Sequence, residues 1–106
     1  MTDITYLATV EAHIVLTDRT RPLEDILRTA QFRENASIQD VAEVEWLSPL
    51  QAAVHMALAI PMDTDASLED CDQIIRESLI GEEYTIAKGR LHIVRVFEIT
   101  PLEERL

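Results

Sequence analysis

The sequence contains one cysteine, two glycines and only a few aromatic and basic residues. It also has no long apolar run. Its single cysteine, Cys71, excludes an intramolecular disulfide and any metal or cluster site made of cysteines alone. We expect this thiol to be buried as a small apolar group on a helix. No apolar run approaches the roughly 18 residues of a membrane span, and the first six residues include no base. These absences predict a cytoplasmic protein without membrane association, and no motif predicts a metal or cofactor.

Basic residues are outnumbered two to one. Twenty acids against nine bases give a net charge of −11, which repels phosphate backbones and favours basic partners. We therefore expect no direct nucleic-acid binding. Three explanations of the acidity remain open: solubility alone, a halophilic habitat, or an acidic face that binds a basic protein. The single lysine, Lys88, beside eight arginines fits a halophilic source or a GC-rich genome.

Length and apolar content predict one domain spanning residues 1–106. Apolar residues make up 47% of the chain, enough for one core without disulfides or metals. Hydrophobic periodicity predicts the order strand, helix, strand, strand, helix, strand. The predicted strands are 6–17, 41–47, 52–60 and a hairpin of 84–87 with 90–99; the predicted helices are 22–35 and the segment from Ser67 to a stop at Gly81.

The order of elements repeats internally, with half-repeats at about 6–50 and 52–102. Each half contains an alternating strand, an acidic helix start and a closing Pro-Leu pair, Pro49-Leu50 and Pro101-Leu102. Two such units predict a four-stranded antiparallel sheet with both helices on one face and an internal pseudo-twofold repeat. The order resembles the ferredoxin-like βαββαβ two-layer sandwich, an α+β fold. The resemblance is one of architecture only, because the cysteines that hold an iron–sulfur cluster are absent.

Two families that share this topology can be compared with the residues. RNA-recognition motifs stack bases on aromatic side chains of the two central strands, whereas the outward positions here include His13, His55 and Ala57 and no aromatic residue. Amino-acid-binding ACT domains use glycine where backbone meets ligand, and this chain has only Gly81 and Gly89. The comparison excludes RNA binding and weakens ligand sensing without removing it.

A possible site lies on the open face of the predicted sheet. Strand parity brings together Glu11, His13, Glu43, Glu45 and His55. Imidazole and carboxylate suit zinc and acid–base chemistry. A solvated polar face produces the same set by chance, the spacing matches no metal motif, and we predict neither a metal site nor a catalytic set.

A second candidate is the acidic segment before and within the second helix. Its members Asp63, Asp65, Glu69, Asp70 and Asp72 form our predicted contact surface for a basic partner. The segment fails as a calcium loop because Leu68 and Ile74 replace the required glycine and glutamate. Acids at a helix N-terminus also complement the helix dipole, and a merely soluble loop is the alternative interpretation.

The last strand has apolar residues on both of its expected faces. Leu91, Ile93, Phe97 and Ile99 share one parity and predict a dimer interface. Val94 and Val96 share the other parity. We therefore expect a homodimer, with the reservation that a bulge near Arg95 would reverse the parity.

Together these observations predict a non-enzymatic binding protein that docks an acidic surface on a basic protein partner. The sharper form of this hypothesis is an inhibitor that imitates nucleic-acid charge, similar in size and acidity to phage-encoded inhibitors of nucleases and CRISPR complexes; its partner would be a nucleic-acid-binding protein. Two alternatives stay open. One is a ligand-sensing or structural ferredoxin-like oligomer, and the other is a small dimeric enzyme that uses the sheet-face histidines.

Overall fold

The computed structural model describes residues 3–32, 36–63, 68–81 and 83–101. Within them the chain forms five strands and two helices. The elements are β1 (Asp3–Leu16), α1 (Leu23–Leu27), β2 (Ser37–Ser48), β3 (Gln51–Asp63), α2 (Leu68–Leu79), β4 (Glu83–Ile86) and β5 (Gly89–Pro101). The strands form a single antiparallel sheet in the order β2-β3-β1-β5-β4.

The core lies between one face of this sheet and the two helices. Alternate residues of the central strand β1, including Ala8, Val10 and Ala12, are at most 1% exposed, as its period of two predicts. From the helices, Leu27 and Ile75 belong to the same cluster of buried residues. Both helices therefore cover one side of the sheet and leave its other side open.

The prediction of a four-stranded ferredoxin-like βαββαβ layout is wrong, because the sheet has a fifth strand. The sequence pattern predicts the hairpin around Lys88-Gly89, but the predicted four-stranded layout leaves the first arm of this hairpin out of the sheet. In the structure β4 pairs with β5 through four residue pairs. It buries Tyr84 and Ile86 against the core and leaves Glu83 and Thr85 exposed. The half-repeats also differ, since α1 has five residues and α2 has twelve.

Helix α1 ends eight residues before its predicted end. Its last turn is closed by Thr29, whose side-chain hydroxyl donates to the carbonyl of Ile26 over 2.6 Å. The same oxygen accepts the backbone N–H of Ala87 over 2.7 Å. Thr29 therefore binds the end of α1 to the turn between β4 and β5, a long-range contact that helical periodicity does not encode. Phe32, predicted as helical, instead packs edge-on against Tyr84 at 5.0 Å between ring centroids.

Several β-bulges interrupt the sheet. In β2, the pairing with β3 shifts register at three places, and the extra residues are Gln39, Ala42 and Leu47. In β5, the pairing with β1 shifts twice, at Val94 and Phe97. Each bulge reverses the alternation of side chains between the two faces. The parity of β5 therefore changes twice along its length.

The turn between β4 and β5 is tight. Lys88 has a φ of 67°, a left-handed conformation that is uncommon for a side chain with a Cβ. Gly89 follows, and a Cβ placed on it would collide with the backbone carbonyl oxygen of Val15. Only glycine lets β5 begin this close to β1.

Candidate functional site

Residues of the predicted sheet-face site form a contact cluster centred on Glu11. Its Oε2 lies 3.3 Å from Nε2 of His13, and its Oε1 lies 3.5 Å from Nε2 of His55. Glu43 on the edge strand adds a contact of 3.8 Å between its Oε2 and Nδ1 of His55. One carboxylate thus contacts two imidazoles, and the second imidazole also contacts another carboxylate.

Strand register explains why these side chains meet. Glu11 is paired with His55 across β1 and β3, and His55 is paired with Glu43 across β3 and β2. Directly paired residues in an antiparallel sheet point to the same face. The three bulges of β2 do not remove Glu43 from this row, because the pairing resumes after each extra residue.

Glu45 shares the face without joining the cluster. It is paired with Ala53 and makes no ion pair within the described residues. The predicted site therefore contains four side chains in contact, Glu11, His13, Glu43 and His55, and one exposed neighbour.

The structure adds His92, which is not among the residues of the predicted site. It is paired with His13 across β1 and β5, and the two rings meet edge-on at 5.8 Å between centroids. All three histidines of the chain therefore lie on the open face. The register of the β4–β5 hairpin relative to β1 is the only signal that could have indicated this position.

Phe97 and Arg95 form an apolar and a cationic border beside the histidines. The ring of Phe97 lies 5.4 Å from the ring of His55, and the guanidinium of Arg95 lies 5.7 Å from the Phe97 centroid. Arg95 is also paired with Glu11. The open face therefore has exposed acids along β2, and on β5 it has Arg95 together with Glu98.

The cluster is accessible to solvent. The side chains of His13 and His55 are 40% and 43% exposed, and that of Glu43 is 75% exposed. Among the described residues, no group of three or more histidine, cysteine or acidic side chains has an arrangement that could hold a metal ion. Such a half-exposed Glu–His network can bind a cationic or hydrogen-bonding partner and can exchange protons with it.

The four residues of the predicted dimer interface do not lie together on the open face. Leu91, Ile93 and Ile99 are buried in the core, whereas Phe97 is 44% exposed. The bulges at Val94 and Phe97 cause this division, because each bulge exchanges the faces to which odd-numbered and even-numbered residues of β5 point. The homodimer itself stays a prediction, and Phe97 is its exposed member.

The predicted acidic contact surface is described in part. Glu69 and Asp70 are exposed in the first turn of α2. Asp72 is ion-paired with Arg76 at 2.6 Å, so its charge is partly compensated within the chain. Asp65 and the side chain of Asp63 lie outside the described residues. So does Ser67, the first residue of the predicted second helix.

A groove on the opposite side of the sheet was not predicted. It lies between β2 and the segment that leads into α1, and its volume is about 540 Å³. Arg19 stacks on Trp46 at 3.8 Å from guanidinium carbon to ring centroid. This contact joins residues 27 positions apart, so no local pattern signals it.

No known protein family, curated protein or solved structure matches this chain. In the part of the chain that the structure describes, no helix combines the length and apolar character needed to cross a membrane.

Proposed function

We propose that this chain is a binding protein that docks an acidic surface on a basic protein partner, and that Asp40, Glu43 and Glu45 of β2 are the centre of this surface. The proposal includes a cytoplasmic location and a partner that itself binds nucleic acid. It moves the contact surface from the start of α2 to the edge of the sheet, because Asp72 already has a cationic partner in the chain.

The observation that carries the proposal is the concentration of acids on an open edge. β2 contains three acids and no base over its twelve residues, and all three acids are exposed. They are paired with Ala57, His55 and Ala53 of β3, so they share the open face. Two acids near the β4–β5 turn, Asp18 and Glu83, have Lys88 and Arg90 within 4 Å. Those of β2 contact no lysine or arginine within the described residues.

The position of β2 suggests how a partner would bind. β2 pairs with β3 on one side only and ends the sheet. The outer side of such a strand presents backbone donors and acceptors that an extended segment can use. We expect the partner to supply an extended basic segment, because main-chain hydrogen bonds and charge complementarity would then act along the same strand.

A defined basic peptide tests this mode of binding. We expect a peptide of roughly ten alternating Lys and Thr residues to bind with an affinity that falls steeply as salt rises, and the matching Asn–Thr peptide not to bind. The combined substitution Asp40→Asn, Glu43→Gln, Glu45→Gln should abolish binding. The matched control, Asp25→Asn, Glu69→Gln, Glu77→Gln, removes the same number of charges from exposed helix positions and should retain it.

An equal loss of peptide binding in the two triple variants would show that binding depends only on net charge. That result would refute the assignment of the contact surface to β2. The same pair of variants applies to natural partners. A photo-crosslinking residue at position 43 should capture basic proteins in cells of the source organism, and one at position 69 should not. Captured proteins that are not basic, or capture that persists in high salt, would contradict the proposal.

A second candidate function is acid–base catalysis on the open face. It is favoured by the contacts of both Glu11 oxygens with imidazole nitrogens, at 3.3 and 3.5 Å. A carboxylate in this position orients an imidazole for proton transfer. The double substitution His13→Gln, His55→Gln should then remove an activity, for example on activated esters. Activity equal to that of the wild type in this variant would refute the hypothesis of catalysis by these histidines.

A further inference from the structure

The groove beside α1 has the size and lining of a small-molecule site. Its floor is formed by Leu16 and Leu27, which are 4% and 2% exposed, and its volume of about 540 Å³ falls within the range of ligand pockets. Val41, Val44 and Trp46 line it from β2. Their partners on β3 are Met56, Val54 and Ala52, which all lie in the core. This wall therefore continues the apolar face of the sheet.

The groove lies beside the first turn of α1, where Leu23 and Glu24 face Val44 and Trp46 of β2. The end of the helix, at Leu27 and Arg28, lies farther along β2, beside Ile38 and Gln39. Val44 and Trp46 remain 38% and 37% exposed, although they are on the core side of the sheet. Apolar surface in a concave site of this kind gains free energy when a ligand covers it.

The rim of the groove is positively charged in a strongly acidic chain. Arg19 and Arg21 both line it, and they are two of only nine bases. Arg19 is held by its stacking on Trp46 and by a hydrogen bond from its Nη1 to the carbonyl of Pro49 over 3.4 Å. Arg21 makes no ion pair or hydrogen bond within the described residues. Glu24 also lines the groove, and its negative charge offsets part of the positive charge of the two guanidinium groups.

The geometry points to a binding site for a small carboxylic acid with a flat apolar body, such as an aromatic carboxylate. The apolar body would cover Val44 and Leu27, and the carboxylate would bind Arg21 with Arg19 beside it. A guanidinium group matches a carboxylate through two parallel hydrogen bonds. The site is independent of the acidic surface on the opposite face.

Titration with 2-naphthoate, followed by amide and Trp46 side-chain resonances, tests the proposal directly. We expect saturable shifts confined to residues that line the groove. The neutral isostere 2-naphthamide should bind about tenfold more weakly or worse, because it lacks the charge-assisted hydrogen bonds. Equal affinity for the amide would overturn the assignment of a carboxylate.

Two substitutions in the groove have opposite expected effects. Arg21→Gln should weaken 2-naphthoate binding about tenfold, whereas Glu24→Gln should strengthen it about threefold by removing a like charge. Both side chains are at the surface, so neither change threatens the fold. The matched control is Arg90→Gln on β5, whose side chain is 65% exposed and outside the groove; it should leave the affinity unchanged.

Three results would refute the site. The first is an absence of saturable shifts, and the second is an equal effect of Arg21→Gln and Arg90→Gln. The third is a shift of the groove resonances on dilution of the protein alone, which would assign the groove to a second copy of the chain.

Discussion

Arg76 on α2 donates a hydrogen bond from its Nη1 to the backbone carbonyl oxygen of Val96 on β5, over 2.8 Å. Val96 directly precedes the bulged residue Phe97, where the regular ladder between β1 and β5 is interrupted. Asp72, one turn earlier on the helix, holds the guanidinium through a contact of 2.6 Å with its Nε. An arginine on a helix thus supplies a hydrogen-bond donor to a backbone carbonyl at an irregular point of the sheet.

Loss of this arginine should destabilise the fold. We expect Arg76→Met to lower the free energy of unfolding by about 1–2 kcal/mol, the value of a charge-assisted hydrogen bond reduced for partial exposure. Asp72→Asn should cost about 0.5 kcal/mol, since the bond to Val96 remains. Urea denaturation measures both changes. Arg90→Met, which removes a more exposed ion pair, is the control; a cost equal to that of Arg76→Met would contradict this role.

The turn glycine should tolerate no side chain. Gly89→Ala brings a Cβ onto the carbonyl oxygen of Val15, and neither backbone can move without breaking the start of the β1–β5 ladder. We expect a loss of about 2–3 kcal/mol in chemical denaturation. Gly81 has a φ of 83° but open space around it, so Gly81→Asn should cost little, since asparagine accepts this conformation. The reverse order of costs would be inconsistent with the packing at Gly89.

Asp18 should make stability depend on acid pH. Hydrogen bonds from the side chain and backbone of Thr20, with a smaller effect of Lys88, hold the pKa of Asp18 below its ordinary value. The stabilisation is therefore present above the ordinary pKa of an aspartic acid and disappears as pH falls through the lowered folded-state pKa. Wild type should be more stable than Asp18→Asn at neutral pH, and the two urea midpoints should converge in strong acid. Parallel midpoints at every pH would refute the linkage.

Tyr6 should make stability depend on alkaline pH. A hydrogen bond with the Cys71 side chain, followed by burial, raises the pKa of Tyr6 above its ordinary value. The unfolded chain therefore loses the phenol proton first, and the folded state loses stability as pH rises past about 10. In Tyr6→Phe this part of the decline should be absent. The check is the urea midpoint from neutral to alkaline pH, and identical slopes for the two proteins would argue against it.

The regular parts of the fold were accessible from sequence. β1 and β3 pair without register shifts, so a period of two places Val10, Val54 and Leu58 in the core as predicted. The expectation for Cys71 is also confirmed, since the residue is fully buried on α2. Ile74 on the same helix, also apolar, is 40% exposed, because the helix turns it away from the sheet.

The irregular parts were not accessible. A bulge inserts one residue into one strand, and its position depends on the partner strand rather than on local composition. This is why the parity of Phe97 could not be read from β5 alone. The end of α1 depends on Thr29 and Ala87, which are 58 residues apart. The sheet-face cluster was predictable because Glu11, His13 and His55 lie on the two regular strands. The groove beside Trp46 was not, because it depends on the long-range contact of Arg19 with Trp46 and on the bulged pairing of β2.

The two margins of the sheet bear on its resistance to polymerisation. At one margin β2 is twelve residues long, but its extra residues Gln39, Ala42 and Leu47 bend and twist it, and its charges repel an identical neighbour. At the other margin β4 is only four residues long. Beyond β4, residues 95–101 of β5 pair with β1 alone in the described part of the chain, and the bulge at Phe97 interrupts that part of the margin. Pairing along β2 is therefore disfavoured between two identical copies of the chain.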